Sequence, residues 1–123
     1  MKNALIVFVG GGFGSVLRYL FGKWLNHWEN SLPYGTLLAN IIGSLIIGFV
    51  LGYVSRASSM SDSHTLLWAT GFCGGFTTFS AFAYENQLYL KAGDYLNFSM
   101  YTIGSIVLGL AAVFVGLYLA KLI

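Results

Sequence analysis

The chain has 123 residues, 8% of them charged and 57% hydrophobic, with a net charge of +2 and a mean hydropathy of +0.75. An ordinary soluble domain is about 25% charged, so this chain has too little polar surface for water, and its length fits one domain, 1–123. The single cysteine, Cys73, excludes an intrachain disulfide and a multi-cysteine metal site, and so small and dispersed a charge leaves no footprint for nucleic acid.

Four apolar runs follow one another. The first, 4–17, is uncharged and continues through Arg18 to Phe21. An arginine one turn from the end of a span can extend its stem to the headgroups. Lys2 before an apolar run also fits the start of a signal peptide, with a weak cleavage site at Gly12-Phe13-Gly14. Three more runs follow, and we read this one as a span. Gly10 to Gly14 is not a dinucleotide fingerprint, because Ser15 stands where the third glycine belongs.

The second run is 34–55, with Thr36, Asn40 and Ser44 on one helix face. The third, 65–84, contains the densest pattern in the chain: Gly71-Phe72-Cys73-Gly74-Gly75-Phe76-Thr77-Thr78-Phe79-Ser80-Ala81-Phe82. The fourth is 95–120, where Tyr101 and Ser105 share a face. A spanning helix needs about 20 apolar residues. The expectation is an all-α membrane protein in the lipid bilayer, with four transmembrane helices at about 4–21, 34–55, 65–90 and 95–122. The connections 22–33, 56–64 and 91–94 are short, which makes neighbouring helices antiparallel. His27 and His64 fall in different connections with no ligand spacing, and no nucleophile–base–orienter set is present, so no enzyme is expected.

Four spans place Lys2, Arg56 and Lys121 on one side and Arg18, Lys23 and Lys91 on the other. The positive-inside rule then assigns no orientation. Either the count is too small to read, or the chain inserts both ways and pairs as an antiparallel dimer. Size independently favours self-association, since four helices barely enclose a polar path. The pairs Gly10/Gly14, Gly48/Gly52, Ser105/Gly109 and Ala112/Gly116 have the spacing of close membrane-helix packing.

The third run has more glycine and hydroxyl than a lipid-facing helix needs. Two adjacent glycines, each about 1 kcal/mol less favourable than alanine in a helix, imply a break near Gly74–Thr78 at mid-membrane. Freed carbonyls there could bind a small cation, or be satisfied by water or by serine and threonine hydroxyls. Asn40 either ties helices together or lines a wet path, since an unpaired amide is costly in hydrocarbon. Phe72, Phe76, Phe79 and Phe82 form a stripe; it either packs or turns positively polarised ring edges to an anion. Glu85 lies about 10–16 Å from the break at 1.5 Å per residue, which makes it a rim or vestibule residue and not a deep proton carrier. The residues alone thus point to a channel for a small ion.

Residues 71–82 closely resemble the signature of the Fluc (CrcB-type) fluoride channels. Gly11-Gly12-Phe13-Gly14 with Arg18-Tyr19, and Gly35-Thr36 followed by Asn40 and Gly43, add to the resemblance, which runs over all four spans. It implies a dual-topology, antiparallel homodimer in the bacterial plasma (inner) membrane that exports fluoride passively and rejects chloride. It also implies a structural sodium ion (Na+) at the dimer centre, bound by the backbone carbonyls of Gly74 and Thr77. Phe79 and Phe82 would turn their edges to fluoride, and Asn40 would be the pore amide. Thr36, Ser80, Tyr101 and Ser105 would line the pore, and Arg18 the vestibule. Ala81 departs from the family, which commonly has a hydroxyl residue there. Two other readings compete: a small proton-coupled multidrug exporter, which wants a carboxylate in the first span that is absent here, and a structural subunit of a membrane complex, in which the polar rows would be helix glue.

Overall fold

The computed structural model describes residues 1–27, 32–56 and 60–123. In chain order these form α1 (Lys2–Leu25), α2 (Tyr34–Arg56), α3 (Asp62–Thr65), a π-helical stretch (Leu66–Cys73), α4 (Gly74–Phe76), α5 (Phe79–Ala92) and α6 (Tyr95–Lys121). No strand occurs among the described residues. Four stretches are long and apolar enough to cross a membrane: Lys2–Leu25, Tyr34–Arg56, Asp62–Ala92 and Tyr95–Lys121. The first is longer at both ends than the run 4–21. Residues 22–25, read from sequence as connection, are its last turn. The loop reading of Asp62 also changes, because Asp62–Thr65 is a helical turn leading into the third span. Parts of two expected connections, 28–31 and 57–59, lie outside the described residues.

The tightest reversal joins α5 to α6. Gly93 takes φ 71°, a left-handed conformation that glycine adopts without penalty. Its N–H reaches the Leu90 carbonyl (3.1 Å), and the Asp94 N–H reaches the Tyr89 carbonyl (2.9 Å). This paired closure satisfies the last carbonyls of α5. Asp94 then caps α6, accepting from the Asn97 backbone N–H at 3.2 Å and its side-chain amide at 2.7 Å.

Helices approach to backbone contact at several places among the described residues, including α1 against α2, where a Cβ at Gly35 would strike the Phe21 carbonyl. Along α1, a Cβ at Gly10 or Gly14 would overlap the backbone of the π-helical stretch, and one at Gly75 would overlap the Gly11 carbonyl. Between α2 and α6, a Cβ at Gly48 would strike the Val113 carbonyl and one at Gly116 the Leu45 carbonyl. Small residues thus do what membrane packing requires, where no water-driven burial separates protein from lipid. Ser105/Gly109 is different: a Cβ on Gly109 would meet only the Ser44 hydroxyl, at 3.8 Å. At the far end, Arg56 donates from Nη1 to the Ala120 carbonyl at 3.0 Å, satisfying an end group of α6 and bringing the C-termini of α2 and α6 together.

Candidate functional site

Gly74 and Gly75 are helical, within α4. The backbone leaves the helix after Phe76, at Thr77 (φ −80°, ψ 154°) and Thr78 (φ −151°, ψ 121°), before α5 begins at Phe79. Thr77 closes the upstream end, donating both its N–H (2.9 Å) and its hydroxyl (2.8 Å) to the Cys73 carbonyl. Thr78 is held from α2. Asn40 Oδ1 accepts from the Thr78 N–H at 2.7 Å, and Asn40 Nδ2 donates to the Thr78 carbonyl at 3.1 Å. One amide side chain therefore pairs with both polar groups of an extended residue, as a neighbouring strand would, and one Nδ2 proton is left over. Thr78 Oγ1 in turn caps α5 by accepting from the Ala81 N–H at 3.2 Å, and lies 3.2 Å from Ser80 Oγ.

These bonds free two carbonyls. In an unbroken helix, Gly74 would accept from the N–H of Thr78 and Thr77 from that of Ala81. Here the first N–H goes to Asn40 and the second to the Thr78 hydroxyl. Gly74 is exposed and Thr77 half-buried.

Thr78 borders two grooves. The inner one, of about 630 Å³, is lined by Asn40, Ser44, Gly74, Thr77, Phe79, Phe82 and Ser105, among others. The outer one, of about 760 Å³, is lined by Ser15, Arg18, Lys23, Thr36, Ser80, Ala81 and Glu85, among others. The expected pore residues thus divide: Asn40, Phe79, Phe82 and Ser105 fall in the inner groove, and Thr36 and Ser80 in the outer groove with Arg18. Tyr101, only 1% exposed, reaches the outer set through its hydroxyl.

The centre of that set is Glu85. Thr36 Oγ1 donates to Oε1 and the Tyr101 hydroxyl to Oε2, each at 2.6 Å. Asn26 supports Thr36 from behind: its Oδ1 accepts from the Gly35 N–H at 2.7 Å, and its Nδ2 donates to Thr36 Oγ1 at 3.4 Å. Sequence reading places Glu85 at a rim but gives no sign that it gathers Thr36 and Tyr101, which lie on two other helices. Asn26 is missed as well. Its only local signal is its position just after α1, as that helix's C-cap.

The phenylalanine stripe does not act as one face. Phe76 is fully buried, stacked on Phe72 (ring centroids 5.4 Å, 26°) and edge-on to Phe21 (5.4 Å, 82°). Phe79 and Phe82, beyond the break, pair with each other at 5.8 Å, and Phe82 continues to the Tyr101 ring at 5.2 Å. Phe79 is 78% exposed. In the same groove the Ser105 hydroxyl is buried without a hydrogen-bond partner among the described residues.

Residues 5–117 match the family described as CrcB-like protein, Camphor Resistance (CrcB). The chain is 52% identical over 122 residues to the "Fluoride-specific ion channel FluC" of Gloeothece citriformis, covering 98% of both chains. Proteins of the same name from Leptospira interrogans serovar copenhageni and Roseiflexus sp. RS-1 are 43% and 40% identical; each match covers 98% of this chain, and 95% and 98% of theirs. With so nearly complete a match in both directions, the chain belongs to the CrcB family.

Proposed function

We propose that the protein is a fluoride-selective passive ion channel and not an enzyme. The observation that carries this reading is that Thr78 borders both grooves. It joins an entrance bearing Arg18 and Lys23 to an interior lined by amide, hydroxyl, ring and backbone groups, with no carboxylate and no cation. Neutral donors can replace the hydration shell of a small anion without trapping it, which conduction requires. In this reading Arg18 draws anions into the outer groove. Thr36, Ser80 and Tyr101 organise the passage around Glu85, and Asn40, Ser105 and the edges of Phe79 and Phe82 line the interior. The family's fluoride-specific relatives support the choice of anion. An interior without a carboxylate disfavours a proton-coupled exporter.

The functional unit is an antiparallel, dual-topology homodimer in the bacterial plasma membrane. Thr77 lies midway along Asp62–Ala92, which supports a break at mid-membrane, where an inverted copy can meet it. The inner groove is open on one side, and Phe79 and Gly74 stand exposed there, so a second copy would complete it. The freed carbonyls of Gly74 and Thr77 fit a sodium ion, a hard cation that takes oxygen ligands. Doubled about a two-fold axis, they supply four oxygens.

The test is efflux from liposomes carrying the purified protein, followed with fluoride- and chloride-selective electrodes. Fluoride should leave rapidly while chloride stays. Equal efflux of both, or of neither, overturns the reading. Replacing sodium by N-methylglucamine on both sides should slow fluoride efflux or dissociate the dimer, and unchanged flux from an intact dimer would remove sodium from the proposal.

A further inference from the structure

Ser15 has no part in the pathway described so far. It sits on α1 three residues before Arg18, so the two side chains share a face, with Ser15 about 4.5 Å further from the mouth at 1.5 Å per residue. Both line the outer groove with Thr78, Ser80 and Ala81. The Ser15 hydroxyl contacts the Gly75 carbonyl at 3.5 Å, whereas a well-made O–H···O bond measures about 2.7–2.8 Å. Its proton is weakly held. Its position is not: Gly75 lies against the Gly11 carbonyl with no room for a Cβ, which fixes α1 against the broken segment one turn from Ser15.

The other wall of the groove has one free hydroxyl proton and no second donor at Ala81. Thr78 and Ser80 share one hydrogen bond between their hydroxyls at 3.2 Å, which leaves the pair a single O–H to donate, and the Ala81 N–H is engaged by Thr78 Oγ1. Ala81 therefore presents only a methyl group. We propose that Ser15 is a pathway residue whose hydroxyl donates to a small anion moving between Arg18 and the Thr78–Ser80 pair, supplying from α1 the donor that Ala81 lacks. This rests on the outer groove being the fluoride entrance.

Ser15→Ala removes one oxygen and keeps the close helix packing. Fluoride efflux per mole of reconstituted protein should fall about tenfold, the effect of losing one hydrogen bond to a charged group. Ser15→Cys, of similar size but with only a weak S–H donor, should show the same loss if the alanine variant fails to fold. Adding Ala81→Ser to Ser15→Ala should return most of the flux. Wild-type efflux from Ser15→Ala overturns the proposal, and a loss that Ala81→Ser leaves uncorrected overturns the claim that the two walls share one donor position. Ser80→Ala separates the two levels: if it and Ser15→Ala are both at wild-type rates, the outer groove is not the entrance, whereas a slowed Ser80→Ala beside a normal Ser15→Ala removes Ser15 alone.

Discussion

The outer groove carries Arg18, Lys23 and Glu85 in its walls, while the inner groove, which meets it at Thr78, carries no carboxylate and no cation. In the outer groove even the carboxylate is occupied, with a hydroxyl donor on each oxygen. In the inner groove, the Ser105 hydroxyl has no partner among the described residues and one Asn40 proton is left over. The contrast follows from dielectric. Charge is tolerable where water can enter, and an anion at depth is better met by dipoles, which attract it without creating a well it cannot leave.

Putting a charge into the neutral groove should break the contrast most severely. Asn40→Asp places a carboxylate beside the proposed anion path and removes the donor to the Thr78 carbonyl, and fluoride efflux should fall to the level of protein-free liposomes. Wild-type rates would remove Asn40 from the pathway. Tyr101→Phe acts on the charged groove instead. It keeps the ring against Phe82 but takes one donor from Glu85, and fluoride efflux should fall about tenfold with the oligomeric state of the wild type kept, as judged by gel filtration. An unchanged rate would make the Glu85–Tyr101 bond structural. Thr102→Val touches neither groove. Thr102 donates to Asn86 Oδ1 at 3.0 Å, and Asn86, 7% exposed, donates to the Phe82 carbonyl at 3.1 Å. Losing that donor leaves a buried oxygen unpaired, at a cost of about 1–3 kcal/mol. The thermal unfolding midpoint should drop while fluoride flux stays within about twofold of wild type. A larger flux loss would extend the pathway beyond the two grooves.

The four spans are legible because hydrophobic runs report bilayer thickness directly, and the close contacts at Gly10, Gly14 and Gly48 follow from local small-residue spacing. The site is legible only where its members share a helix. Thr36, Asn40 and Ser44 do share a face, yet Thr36 serves the outer groove while Asn40 and Ser44 serve the inner one, because one face of a helix spans several depths. The phenylalanine stripe misleads for a related reason: helical spacing across Thr77–Thr78 ceases to mean one face once two residues are extended. The double glycine draws attention to the right segment, but Gly75 works by letting α1 approach, and the helix ends two residues after Gly74, at Phe76. The gathering of Thr36, Tyr101 and Asn26 around Glu85 depends on partners up to 59 positions apart (Glu85 to Asn26), and no local pattern encodes it. The π-helical stretch Leu66–Cys73 is likewise unmarked by glycine or proline spacing; it coincides with the surface on which Gly10 and Gly14 rest.

The pairing of Asn40 with Thr78 has a consequence for biogenesis. Both hydrogen bonds that complete the extended residue come from α2, which precedes the third span in the chain. A ribosome delivering the helices in order places this template in the membrane first, so the third span meets its partner on arrival. The extended backbone at Thr78 need not wait exposed to lipid for a later segment.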